Sequence, residues 1–297
     1  MRRACIDIGS NTTRLLVADC DGKRLSEIHQ ERAFTRIRGG MTADGTITPA
    51  KITEVVGVVA AQLQRARELD VVDVRGVATA GIRRSANGSA LVRAIRDACE
   101  LNVEILSGEE EARLAFVGAA LTLDHVPSGE LGVVDVGGGS SELVVGVVPD
   151  RVNWCTSFAV GSGDLADGCL HSDPPSSTEL ARARREVARA LKCLDVPHPV
   201  EAVAVGGSAA SLRRLAGPLL DADAFTRSLR LLAHERAVDV ARRFALDVER
   251  VRLLPAGLLI LEAASELFGA TLQIARGGLR EGVLLEAGRM NAPGGGR

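Results

Sequence analysis

Short runs of aliphatic and β-branched residues, most of them ending in glycine or a polar loop, alternate along this chain with longer stretches whose apolar positions recur every three or four residues. The first pattern predicts strands and the second helices. Arg3–Ile8, Thr13–Cys20 and Lys23–Glu31 read as strands, with a turn at Asp21-Gly22. Thr48-Pro49 opens a helix to about Leu69, with proline at its first position and Ile52, Val55, Val56, Val59 and Leu63 on one face. Val71–Thr79 is a strand, Ala90–Cys99 a helix, Val103–Leu106 a strand, and Ser107 starts a further helix. The polar, proline-containing stretch Leu123–Gly129 marks a domain boundary, giving expected domains over 1–125 and 126–291. In the second, strands end at Asp135 and span Leu143–Val148, Arg151–Phe158, Glu201–Val205 and Thr271–Ala275. Helices are expected over Glu179–Leu194, from Ala209 to Leu215, and over His234–Phe244 and Leu254–Phe268, with 217–233 irregular. A last helix opening near Gly278 is free to pack back on the first domain, and 292–297 reads as a disordered tail.

One arrangement occurs twice. Asp7-Ile8-Gly9-Ser10-Asn11-Thr12-Thr13-Arg14-Leu15 lies against Asp135-Val136-Gly137-Gly138-Gly139-Ser140-Ser141-Glu142-Leu143 without a gap, at a constant offset of 128 residues. Each copy is strand, tight glycine loop, strand, so neither is a dinucleotide loop leading into a helix nor a Gly-Lys-Ser/Thr phosphate loop. Glycines at a hairpin tip let backbone N–H groups approach an anion, and Asp135 with Glu142 would hold a hard cation beside it. Two copies predict two similar halves, each presenting a polar tip to a shared cleft.

Composition narrows the partners. Of the 297 residues, 46% are apolar, enough for two cores. A net charge of −2 gives no global attraction to nucleic acid or membrane, and with 2% aromatic residues and no tyrosine base stacking is disfavoured. Six scattered cysteines show no zinc-like spacing and suit a reducing, cytoplasmic setting. No apolar run has the length of a membrane span.

A polyanion would therefore need local groups. Arg36-Ile37-Arg38-Gly39-Gly40 is one candidate, and Arg83 or Arg84, in the loop after a strand's C-terminal end, another. Ser107 with Glu110 forms a capping box at the start of a helix, and acids in the first turn suit the helix dipole, which together account for Glu109 and Glu110 among three consecutive acids. Glu111 shares the inward face with Leu114, Ala115 and Gly118, so desolvation suits it to act as a base. Further glycine loops fall at Ala159–Asp164 and at Gly206-Gly207-Ser208 ahead of a helix.

Together these residues resemble the exopolyphosphatase and guanosine pentaphosphate phosphohydrolase family of the actin-like ATPase-domain superfamily. The resemblance runs through Asp7–Thr12, Ala78-Thr79 with Arg83 and Asn87, Ser107-Gly108 with Glu110–Leu114, and Asp135–Ser140 with Glu142. It continues through Gly206–Ser208, Leu254–Gly257 and Gly278–Gly282. It implies an α/β fold of two ribonuclease-H-like domains with mixed five-stranded sheets flanked by helices, and magnesium-dependent hydrolysis of a terminal phosphoanhydride. By the same resemblance Glu111 is the base, and Asp7, Asp135 and Glu142 are the magnesium-linked acids. Gly9, Ser10, Asn11, Thr12, Gly137, Gly138, Gly139, Ser140, Gly206, Gly207 and Ser208 then cradle phosphate, Arg83 contacts it, and the protein is a homodimer. Ala80-Gly81 departs from the family's Ser-Ala, and Gly163–Ala166 lacks its arginine and threonine. Inorganic polyphosphate is the leading substrate and guanosine pentaphosphate the alternative. A kinase of the same superfamily would need an adenosine pocket, and a non-catalytic alarmone sensor would need no base.

Overall fold

The computed structural model describes residues 1–21 and 24–290, so the expected turn at Gly22 and the expected tail at 292–297 lie outside the described residues. The chain forms two compact units. The first begins with β1 (Arg2–Ile8), β2 (Thr13–Cys20) and β3 (Leu25–Ala33), then a 3-10 turn at Ile37–Gly40 and α1 (Pro49–Glu68). It continues with β4 (Asp73–Ala78), the single turn α2 (Ala80–Arg83), α3 (Gly88–Cys99), β5 (Val103–Ile105) and α4 (Gly108–Leu121). Among the described residues its sheet has five strands, ordered β3-β2-β1-β4-β5, with β1, β2 and β3 antiparallel and β4 and β5 parallel to β1. The Thr48 hydroxyl accepts from the Lys51 N–H and so starts α1 as expected. Val55, Val59, Leu63 and Ala66 of α1 pack with Ile6, Ile8 and Leu15 of the sheet in one buried cluster.

The second unit comprises β6 (Leu131–Val136), β7 (Ser141–Val147), β8 (Arg151–Phe158), α5 (Ser162–Cys169), α6 (Ser177–Leu191), β9 (Glu201–Val205) and α7 (Gly206–Ala216). After these come β10 (Leu219–Leu220), α8 (Ala222–His234), α9 (Ala237–Phe244), α10 (Val248–Phe268) and β11 (Leu272–Ile274). Its sheet order, β10-β11-β9-β6-β7-β8, reproduces the first when read from β8, with β10 added as a sixth strand. The repeat extends to its irregularities. A register shift falls between Val17 and Ala18 in the first copy and between Val145 and Gly146 in the second, positions that share the 128-residue offset.

Several expectations change. Residues 217–233 are not irregular: they hold β10 and most of α8, whose Asp221 cap accepts from the Ala224 N–H at 2.7 Å. The loop at Ala159–Asp164 gives way at Ser162 to α5, and Gly206-Gly207-Ser208 forms the first turn of α7 rather than a loop before it. α10 starts at Val248, not Leu254, and carries Pro255 inside it. None of the six cysteines forms a disulfide, and Cys193 is exposed. No helix among the described residues is long and apolar enough to cross a membrane.

The last helix, α11 (Leu279–Met290), belongs to the first unit and packs along α4. Their approach depends on Gly282, because a side chain there would overlap the backbone carbonyl of Leu114. A carbonyl cannot swing aside as a side-chain tip can. Gly282→Ala should therefore cost about 1–3 kcal/mol as the helices are forced apart, read as a lower midpoint in urea unfolding.

Candidate active site

In the first unit the β1–β2 tip is closed by Gly9 N–H donating to the Thr12 carbonyl at 2.9 Å. The segment after β3 ties the tip back, with Ile37 N–H donating to the Ser10 carbonyl (2.9 Å) and Arg36 N–H to that of Asn11 (3.0 Å). A trans peptide points its C=O and N–H in opposite directions, so the N–H groups of Asn11 and Thr12 are turned away from that segment. Ser10 also packs on α2. A Cβ on Gly81 would come within 2.5 Å of the Ser10 hydroxyl, so the glycine that departs from Ser-Ala makes room for the hairpin tip.

Arg83, at the end of α2, reaches across to α4. One nitrogen, Nη1, donates to the Leu106 carbonyl at 2.6 Å and to Glu111 Oε2 at 3.0 Å. Glu111 sits in the first turn of α4 and is only 6% exposed, so it is not one more solvated acid of the helix start. Arg83 and Glu111, picked from separate stretches of sequence, are thus brought into direct contact. The capping box forms by half: Ser107 Oγ accepts from Glu110 N–H at 3.1 Å, but the Glu110 carboxylate turns to Arg113. Asn87 is occupied structurally, exchanging two hydrogen bonds with the Ile47 main chain.

The second unit repeats the tip. Gly137 N–H donates to the Ser140 carbonyl at 3.0 Å, the equivalent of the Gly9–Thr12 bond. The tie-back is different here. The start of α5 donates from Ser162 N–H to the Gly137 carbonyl (2.9 Å), and from Gly163 and Asp164 N–H to that of Gly138 (2.9 and 3.0 Å). These bonds turn the Gly138 and Gly139 N–H groups away from α5. Gly161 and Gly163 permit the approach, since a Cβ on either would press on Gly138. Sequence reading had no signal for this contact, because it lies between a hairpin and a helix remote in the chain.

Register sets the electrostatics. Asp135 lies directly opposite Glu142, and Glu142 opposite Ser157, whose hydroxyl donates to Glu142 Oε1 at 2.8 Å. Residues opposite one another share a sheet face, so two carboxylates stand side by side. In the first unit the equivalent partner of Asp7 is Arg14, and Arg14 in turn lies opposite Arg32. One copy of the repeat is thus basic around its aspartate and the other acidic. Sequence reading placed Asp7 with the other acids; the ladder pairs it with an arginine.

Asp135 is also confined by Gly206, where a side chain would collide with its Oδ1. Ser208 is fully buried against Gly257 of α10 and its hydroxyl has no hydrogen-bond partner, leaving its backbone N–H in the first turn of α7 as its link to any anion. Among the described residues no group of three or more His, Cys, Asp or Glu is placed to hold a metal ion. Magnesium, however, is commonly held by one or two carboxylates with water and substrate phosphate completing its shell. The Asp135–Glu142 pair fits that donor set.

Asp7 keeps part of its surface accessible, yet its Oδ1 is sealed and has no donor. Burial pushes its carboxyl above the ordinary value of 3.8, a shift that Arg14 and Arg280 oppose and Glu281 reinforces. A carboxyl raised in the folded state loses stability as pH climbs from its unfolded value through its folded one. Asp7→Asn should therefore raise the melting temperature of the ligand-free protein at pH 7 and gain nothing at pH 3, compared by thermal scans at the two pH values.

The sequence profile of the Ppx/GppA phosphatase family matches residues 16–289. Exopolyphosphatase 2 of Mycobacterium tuberculosis is 31% identical over 262 residues, covering 82% of this chain and 79% of that protein. Exopolyphosphatase 1 of the same organism is 27% identical over 303 residues, covering 96% and 88%. Among solved structures, the Aquifex aeolicus Ppx/GppA family member superposes with a TM-score of 0.82 at 28% identity, covering 99% of both chains.

Proposed function

The chain belongs to the Ppx/GppA phosphatase family and is a phosphoanhydride hydrolase, and we propose that it is an exopolyphosphatase, removing terminal orthophosphate from inorganic polyphosphate. The observation that carries this reading is the buried Glu111 carboxylate held 3.0 Å from Arg83. Phosphoryl transfer asks the protein mainly to position reactants and neutralise charge on the equatorial oxygens. Glu111 orients the attacking water and accepts its proton. Arg83 fixes that carboxylate and places a positive charge where the phosphoryl oxygens develop negative charge.

The outward N–H groups of the tips Gly9–Thr12 and Gly137–Ser140 bind phosphate oxygens, as do those of the first turn of α7. Asp135 and Glu142 would hold magnesium, with Ser157 fixing the Glu142 carboxylate, and the chemistry gained there would be charge neutralisation at phosphate oxygens. Polyphosphate is favoured over guanosine pentaphosphate because these groups recognise phosphate and backbone charge, and the chain is poor in aromatic side chains for stacking on guanine. The test is orthophosphate release, with magnesium, from short-chain polyphosphate, long-chain polyphosphate, guanosine pentaphosphate and ATP in parallel. Release from polyphosphate at the highest kcat/KM supports the reading. Release from guanosine pentaphosphate alone overturns it in favour of the nucleotide.

A further inference from the structure

Outside the catalytic groups, the first unit contains a cavity of about 290 Å³. Val77 of β4, Val103 of β5, Leu106, Leu114 of α4 and Val283 of α11 line it, all buried and all apolar. Gly76, Asn102 and Ala287 complete the lining together with four charged residues, Glu104 on β5, Glu110 on α4, Glu286 on α11 and Arg75 on β4. Val283, Glu286 and Ala287 recur at i, i+3 and i+4, so one face of α11 closes one side.

The charges do not cancel. Asp73 is shared by Arg75 at 3.4 Å and Arg3 at 3.5 Å, and the single Arg113 guanidinium serves both Glu110 and Glu286, each at 2.7 Å. Glu104 has no arginine in this set, which leaves one carboxylate in excess around an apolar floor. Arg113 holds the Glu110 carboxyl below its ordinary value, so it remains charged near neutral pH. Such a wall repels phosphate anions. The volume is at the small end for ligand pockets, about 300–1,000 Å³, so it suits a short molecule rather than a nucleotide.

We propose that this cavity is a binding site for a small aliphatic amine or guanidine cation, its alkyl body on Val77, Val103, Leu114 and Val283 and its charged end on Glu104 and the Glu110–Arg113–Glu286 cluster. The site is one step from the catalytic pair. Leu106 lines the cavity and its carbonyl holds Arg83, and Glu110 is the chain neighbour of Glu111. An occupant therefore bears on the position of Arg83 and Glu111; that coupling rests on the hydrolase reading, whereas the binding itself does not.

The test is calorimetric titration of the full chain with 1,4-diaminobutane, without substrate, beside Glu104→Gln and Ala287→Leu. The expected result is one saturable site, weakened about 3–10-fold by Glu104→Gln, as a lost ion pair of roughly 1 kcal/mol would give. Ala287→Leu, which fills the cavity, abolishes it. Glu104 is exposed, so its variant folds and keeps its basal phosphate release. No saturable heat, or equal affinity in wild type and Glu104→Gln, overturns the proposal. Diamine binding in a protein that released no phosphate from any substrate would leave this site standing and remove the exopolyphosphatase reading instead.

Discussion

Glu111→Gln lowers kcat for polyphosphate hydrolysis by about 10²–10⁴-fold, the range general-base catalysis contributes, while the protein keeps its fold and its affinity for polyphosphate. The amide preserves the shape of the side chain and can still meet Arg83 through its carbonyl oxygen, so Leu106, Arg83 and the start of α4 stay in place. What is lost is the capacity to take a proton from water. The effect should fall on kcat, with KM little changed, because Glu111 acts on the water rather than on the substrate's phosphates. Steady-state phosphate release, with a binding isotherm for the variant, checks both parts.

The second large effect is expected at Asp135. Asp135→Asn halves the charge of the carboxylate pair while leaving the β6–β7 ladder and the Ser157–Glu142 bond intact. A fall of about 10²–10³-fold in kcat/KM at fixed magnesium is expected, comparable to the loss of one preorganised electrostatic partner of the transition state. The magnesium concentration giving half-maximal rate should also move upward. A magnesium titration of the rate separates this from general damage, since a merely misfolded variant would lose amplitude without shifting the midpoint.

Why these residues were legible before the fold follows from the repeat. Asp7 and Asp135 precede a glycine turn at a fixed offset, and strand pairing then carries Arg14 and Glu142 to their opposite positions. Glu111 was legible because helical spacing put it on the buried face beside Leu114 and Ala115. Its contact with Arg83 was not, because the two residues belong to helices separated by β5 and α3, and local patterns carry no distance between them.

The missed elements are of two kinds. α8 was legible, since Phe225, Ser228, Leu229 and Leu232 keep helical spacing behind the Asp221 cap. α10 was begun too late because Pro255 resembles a first-turn proline. In the fold it is buried in mid-helix, where the missing N–H forfeits the bond to the Val251 carbonyl and Asp247 caps the true start by accepting from Glu249 N–H at 3.0 Å. Glu110 left the capping box unfinished because a charged partner, Arg113, binds its carboxylate through two short bonds of 2.7 and 2.8 Å. A neutral backbone N–H offers less.

In the proposed reaction water, activated at Glu111, attacks the terminal phosphorus of a polyphosphate chain. Hydrolysis in heavy-oxygen water, with mass analysis of the first orthophosphate released, tests this directly. One heavy oxygen in each orthophosphate and an unlabelled, shortened chain are expected. Unlabelled orthophosphate beside a labelled chain end would place the attack on the penultimate phosphorus and contradict that reaction, as would internal fragments without orthophosphate.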